Sequence, residues 1–193
     1  MRKPFALSLF IALLLNLAAC GTPAAPELET LTLPLAERAW FTEEQPEARG
    51  SELVPDTLRV GRTYDGKDIF ALVKVQLDGE IKAGQVLEAW LCLKIAENNG
   101  GSSIQIGAPA GPWEADIACE DARALVGDLR TARQALATDG WLQIDITQQV
   151  KGWLAGEENF GIALFEGNPS TETVFAAGDG EGAPRLEIII EKR

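Results

Sequence analysis

Trp141-Leu142-Gln143-Ile144-Asp145-Ile146-Thr147-Gln148-Gln149-Val150-Lys151-Gly152-Trp153-Leu154-Ala155-Gly156, followed by Glu157-Glu158-Asn159-Phe160-Gly161-Ile162-Ala163-Leu164-Phe165, is the stretch that decides the fold. From Leu142 to Ile146 apolar and polar residues alternate, the period of a half-buried strand. Val150, Trp153 and Leu154 then fall on one helical face, so Gln148 to Ala155 reads as two short turns. Thr147 stands where a hydroxyl can cap the first turn, and Gly156 is a natural stop. A new apolar run starts at Phe160. Strand, short capped helix and strand within 25 residues leave no room for a helical domain. They suit a β structure with a small helix closing one end.

Outward from this stretch, further short β-like runs are separated by turn residues. Leu31, Leu33 and Leu35 alternate with Thr32 and Pro34, and the proline predicts an edge strand. Thr57 to Gly61, Ile69 to Leu77, Val86 to Ile95, Ser103 to Gly107, Trp113 to Ala118, Trp141 to Ile146, Phe160 to Phe165, Thr173 to Ala177 and Arg185 to Glu191 complete the series. Such a series with few helices predicts an all-β, jelly-roll-like antiparallel sandwich. Glu120 to Thr138 is the exception. Leu125, Val126, Leu129 and Leu136 lie near helical spacing, so the segment reads as partial helix or as a loop with an irregular strand.

The N-terminus is different in kind. Arg2 and Lys3 precede an apolar run from Phe5 to Leu17, then Leu17-Ala18-Ala19-Cys20. A basic start, a short apolar core and small residues before a cleavage point are the parts of a secretory signal. The run is shorter than the roughly 20 residues a membrane span needs. Leu-Ala-Ala-Cys also resembles a bacterial lipobox, which implies a lipid on the Cys20 thiol and cleavage in front of it. The expected organisation is residues 1–19 as signal peptide, 20–27 as lipidated cysteine and tether, and 28–193 as one domain. The resemblance places the protein in the cell envelope, held by its lipid on the outer side of the cytoplasmic membrane or at the outer membrane.

Composition excludes several functions. The 193 residues hold 17 Lys and Arg against 29 Asp and Glu, a formal charge of −12. A nucleic-acid binder needs a basic face, so that class is set aside. The absence of histidine removes Ser-His-Asp and Cys-His hydrolases and the HExxH metalloproteases. A carboxylate-only glycosidase remains conceivable on chemistry, but no pair is singled out, and no catalytic residue is assigned.

The signature from Trp141 through Asp145-Ile146-Thr147, Val150, Trp153, Gly156 and Asn159-Phe160-Gly161-Ile162-Ala163-Leu164, ending in Pro184-Arg185-Leu186-Glu187-Ile188, resembles the DNRLRE domain. This is an extracellular β-sandwich family related to carbohydrate-binding modules. Thr57-Leu58-Arg59-Val60-Gly61, Ala71 to Leu77 and Val86 to Leu91 resemble three of its upstream strands, so the likeness spans about Leu31 to Glu191. The string that names the family is absent, and Trp113 to Cys119 replaces its usual central strand. The resemblance implies a non-catalytic module that binds polysaccharide or a cell-envelope component. The alternative is a structural, adhesion or accessory envelope protein without a small ligand.

Sugar rings stack on flat aromatic faces, and five tryptophans are available. Trp90 and Trp153 fall on apolar sides and read as core, and Trp141 starts a strand. Trp40 and Trp113, beside turn-rich segments, are the candidate ligand-binding residues. Cys92 and Cys119 either pair across a loop of about 27 residues, adding roughly 3 kcal/mol in the chain-entropy account, or remain two buried thiols. No cofactor is implied beyond calcium, for which Asp65-Gly66-Lys67-Asp68 and Asp179-Gly180-Glu181 have suitable oxygens but incomplete spacing.

Overall fold

A computed structural model describes residues 26–53, 56–77, 79–99, 103–136 and 139–192. Residues 1–25, which hold the expected signal segment, Cys20 and most of the expected tether, lie outside the described residues.

Eleven strands and two short helices make up the described chain. In order they are β1 (Leu28–Thr42), β2 (Thr57–Arg62), β3 (Asp68–Val75), β4 (Val86–Asn99), β5 (Ile104–Gly107), α1 (Cys119–Ala124), β6 (Arg130–Thr131), β7 (Gln134–Leu136), β8 (Trp141–Asp145), α2 (Thr147–Leu154), β9 (Ile162–Glu166), β10 (Glu172–Ala176) and β11 (Arg185–Glu191). Every paired strand is antiparallel to its neighbour.

Six strands close on themselves as a barrel, in the order β1, β11, β4, β10, β2, β3 and back to β1. Closure depends on two long strands that change partner partway. β1 pairs with β11 over Leu28–Pro34, passes an irregularity between Leu35 and Glu37, and then pairs with β3 as far as Thr42. β4 lies beside β11 as far as Cys92 and beside β10 from Ile95. A bulge in a long strand sharpens its twist and bends it, which is how one strand turns a corner between two sheet directions. β9, β5 and β6 extend the sheet from β3, while β8 and β7 extend it from β4.

The expectation of antiparallel β structure holds, and three local readings change. The early strand is far longer than Leu31 to Leu35 and carries Trp40 and Phe41 within it. Trp113 to Ala118 is turn and irregular chain rather than strand. Glu120 to Thr138 combines both alternatives, with α1 at its start and β6 and β7 after it.

Two apolar clusters result. The larger fills the barrel with Leu58, Val60, Val73, Leu91, Leu93, Ile144, Phe175, Leu186 and Ile188 and takes in Val150 of α2. The smaller lies outside the barrel, on the opposite face of β1, β3 and β9. There Phe41, Phe70 and Phe165 sit across neighbouring strands in register, stacked with centroids 5.1 and 4.9 Å apart. Trp113, Cys119, Ala122 and Val126 from the segment around α1 cover them. α1 forms there because Ala122 and Cys119 face the aromatic ladder while Glu120 and Asp121 occupy its first turn, where the helix dipole favours acids.

The corner around α2 is set by its sequence. Asp145, not Thr147, satisfies the first turn: its Oδ1 accepts from the Thr147 N–H at 3.0 Å and from the Thr147 hydroxyl at 2.6 Å. The same hydroxyl accepts from the Ala89 N–H at 2.9 Å, tying the helix start to β4. Burial pulls the Asp145 carboxyl upward, but the two bonds from Thr147 and the Arg133 guanidinium outweigh it and hold it below the ordinary carboxylate value. At the exit, Gly156 has φ +107°, the left-handed stop expected of it.

Candidate functional site

The sequence-derived candidates divide by the face on which they fall. Alternation along β1 sends Trp40 into the barrel while Ala39 and Phe41 point to the outer cluster. Trp40 is therefore only 6% exposed, with the Arg59 guanidinium 5.2 Å from its ring centre. Trp113 is 3% exposed. Its Nε1–H donates to the Phe160 carbonyl at 2.6 Å, and the Lys74 ammonium sits 4.7 Å from its ring centre. Neither ring offers a face to a ligand, and the two belong to different clusters. The packing buries both rings, and Trp113 also borders a depression described below.

The remaining tryptophans differ too. Trp141 is buried between Lys94 and Arg185, the latter 3.9 Å from its ring centre. Trp90, read as core, lies half-buried on the outer face of β4, with Arg133 4.5 Å above it and its Nε1–H donated to Glu88 at 3.0 Å. Trp153, also read as core, is half-buried on α2 and packs one side against the barrel cluster. Among the described residues it is the one tryptophan with no cation over its ring.

Trp153 lines an open groove of about 480 Å³ together with Leu154, Leu77, Ile81, Gln76 and Asn159. Several segments build it, among them β1 through Ala36 and the chain before β4 through Ile81. α2 supplies the indole, the chain leaving β3 supplies Gln76 and Leu77, and the turn into β9 supplies Asn159. The Asn159 amide is spent on structure: Nδ2 donates to the Val75 carbonyl at 2.8 Å, and Oδ1 accepts from the Gly161 N–H at 3.1 Å. That clamp fixes the groove wall. Gln76 is exposed.

Lys74 closes one end and also borders a second depression of about 600 Å³, whose wall includes Glu37, Arg49, Trp113 and Asp116. The Lys74 Nζ donates to Glu37 at 3.0 Å and to the Trp113 carbonyl at 2.9 Å. The other Glu37 oxygen accepts from the Ala115 N–H at 2.7 Å. Asp116 sits 3.6 Å from Arg49. Glu37 and Asp116 are thus engaged by cations or backbone, while Glu114 and Asp121 also line this depression.

Cys92 and Cys119 are free thiols in the structure, so the disulfide alternative gives way to the two buried cysteines. Burial, reinforced by Glu187, pushes the Cys92 thiol up to about 12; burial, reinforced by Glu43, pushes Cys119 up to about 11. Thiolate is the reactive form. A maleimide reagent at neutral pH should therefore leave both unmodified in the folded domain and label both in denaturant. Rapid labelling without denaturant, followed by mass spectrometry, would contradict this packing.

The acidic turns considered for calcium are also placed. Asp65 accepts from the Thr63 hydroxyl and pairs with Lys67 at 3.5 Å, and Asp68 pairs with Arg62 at 3.0 Å. Asp179 is exposed, 4.0 Å from Arg38. Among the described residues no group of three His, Cys, Asp or Glu side chains is arranged to hold a metal ion. No helix among them is long and apolar enough to cross a membrane.

Compared with models of known protein families the chain matches none, and the search of curated proteins finds no match either.

Proposed function

We propose that this chain is a lipid-anchored envelope protein whose domain, a jelly-roll-like sandwich of the DNRLRE type, binds a polysaccharide without chemically altering it. The observation that carries the reading is Trp153: a half-buried indole with no cation over it, set in the wall of an open groove. A ring fixed on one side by packing and bare on the other loses little entropy on stacking against a pyranose. Lys74 borders both this groove and the second depression, and two neighbouring open depressions suit an extended chain better than a compact metabolite. Support for a non-catalytic role comes from the lack of histidine and from the paired state of Glu37 and Asp116.

The resemblance gains support from its own residues, which cooperate at one corner. Asp145 and Thr147 fix the helix start, Asn159 clamps the groove wall, and Gly161 makes the turn that admits β9. The lipid on Cys20 would concentrate this groove at a membrane surface.

A glycan array probed with the domain, followed by titration of any hit, tests the proposal. Replacing Trp153 by Ala should weaken binding at least about tenfold, the magnitude of one aromatic contact of ~1.5 kcal/mol. An unaltered affinity in the folded variant would remove this groove from consideration. A well-folded wild-type domain that binds no glycan would favour the structural or accessory role instead.

A further inference from the structure

The end of the barrel nearest the tether is apolar on its outside. Leu28 at the start of β1 is 54% exposed and Leu87 at the start of β4 is 43% exposed. The two strands flank β11, where Leu28 pairs with Glu191 and Val86 with Ile190. Two strand spacings put them about 10 Å apart. Alternation sends Leu186, Ile188 and Ile190 inward, so Ile189 lies on the outer face, opposite Thr30 on β1 and Glu88 on β4, one step in from the two leucines. Just inside the rim, Leu31, Leu33 and Ile81 border a further cleft of about 380 Å³. Two of the most exposed leucines of the described chain thus share one rim with a half-buried isoleucine.

Resting on the lipid-anchor reading, we infer that this rim seats directly on the bilayer, with Leu28, Leu87 and Ile189 against the lipid. The reach of the tether argues for that occupant. Seven residues lie between Cys20 and Leu28, and the eight steps span at most about 28 Å of fully extended chain, so a lipidated Cys20 confines this end close to the membrane. The rim also carries acidic groups: Glu191, and Glu27 and Glu29 beside Lys192 at 2.9 and 3.8 Å. A surface of low net charge is therefore the favoured lipid.

The groove begins beside this rim, where Ile81 lines both it and the cleft, and extends away from the membrane. Ala36, at its edge, is eight residues along β1 from Leu28, about 26 Å of strand. The β2–β3 hairpin lies further still, beside Thr42, and its Tyr64 is 96% exposed.

The test uses the full lipidated protein in phosphatidylcholine vesicles. An environment-sensitive dye is attached in turn to L28C, L87C and Y64C, each checked for fold by circular dichroism and for lipid by intact mass. Dyes at positions 28 and 87 should shift to the blue, brighten several-fold and be quenched by lipid-borne spin labels, while the dye at 64 stays as in water. All three dyes in water on a lipid-bearing protein would overturn the seating alone. A Cys20 found without lipid would overturn the anchor reading and the seating with it.

Discussion

Replacing Phe70 by Ala should cost about 3–5 kcal/mol, the range for removing a fully buried aromatic ring. Phe70 is inaccessible to solvent and is the central member of the three-ring ladder, stacked on Phe41 at one side and Phe165 at the other. Its loss therefore breaks two ring contacts and leaves a void under Trp113 and Ala122. The segment around α1 has no other apolar floor, so it should loosen with the barrel still closed. Thermal unfolding should shift down by about 10 °C or more in a domain of this size, and hydrogen exchange should accelerate most across residues 113–126. A loss under about 1 kcal/mol would show that the outer cluster contributes little.

Gly161 is the second position where a single change has a large effect. Its φ is +90°, and a Cβ there would overlap the Val73 carbonyl oxygen in the neighbouring strand. Gly156, with φ +107°, has open space where its Cβ would stand. The pair separates two costs. Gly156→Ala should lose only about 1–2 kcal/mol of backbone strain, measured by denaturant unfolding. Gly161→Ala adds the overlap and should exceed it by at least about 1–2 kcal/mol, because relief requires β3 and β9 to move apart. It should also disturb the Asn159 clamp and with it the groove wall. Equal costs at both positions would contradict the close approach of β9 to β3.

Much of this architecture is readable from residue pattern. Alternation from Arg185 to Glu191 marks a strand whose inward residues are those found in the core, and the apolar run from Ile69 to Val75 marks another. The α2 corner is readable because each of its residues has a local task. What pattern does not reveal is where one strand serves two sheets. Pro34 and the Glu37-Arg38 pair interrupt β1 as a turn would, yet the chain continues extended through them. Trp40 consequently looked like a residue at a strand end, when its place in the alternation sends it into the barrel.

The outer cluster was hidden for a related reason. A β3 run apolar on both faces, Phe70 to Val73, signals burial from both sides, and that signal was present in the sequence. It did not say which segment provides the cover. The chain from Trp113 to Val126 does so through spaced contacts of Trp113, Cys119 and Ala122, without the periodicity of a strand or a long helix. Trp153 escaped notice because its helical phase with Val150 is that of a core residue. Phase gives direction, and only the three-dimensional arrangement shows how much of the ring a neighbour covers.

The central claim is that a bare indole in an open groove binds polysaccharide. Its most direct measurement is titration of the wild-type domain and Trp153→Ala with the best glycan from an array, with thermal unfolding of both proteins alongside. The account predicts saturable binding by wild type and a loss of about tenfold or more in the variant, with the variant still folded at the assay temperature. Saturable binding that is equal in both folded proteins would contradict it.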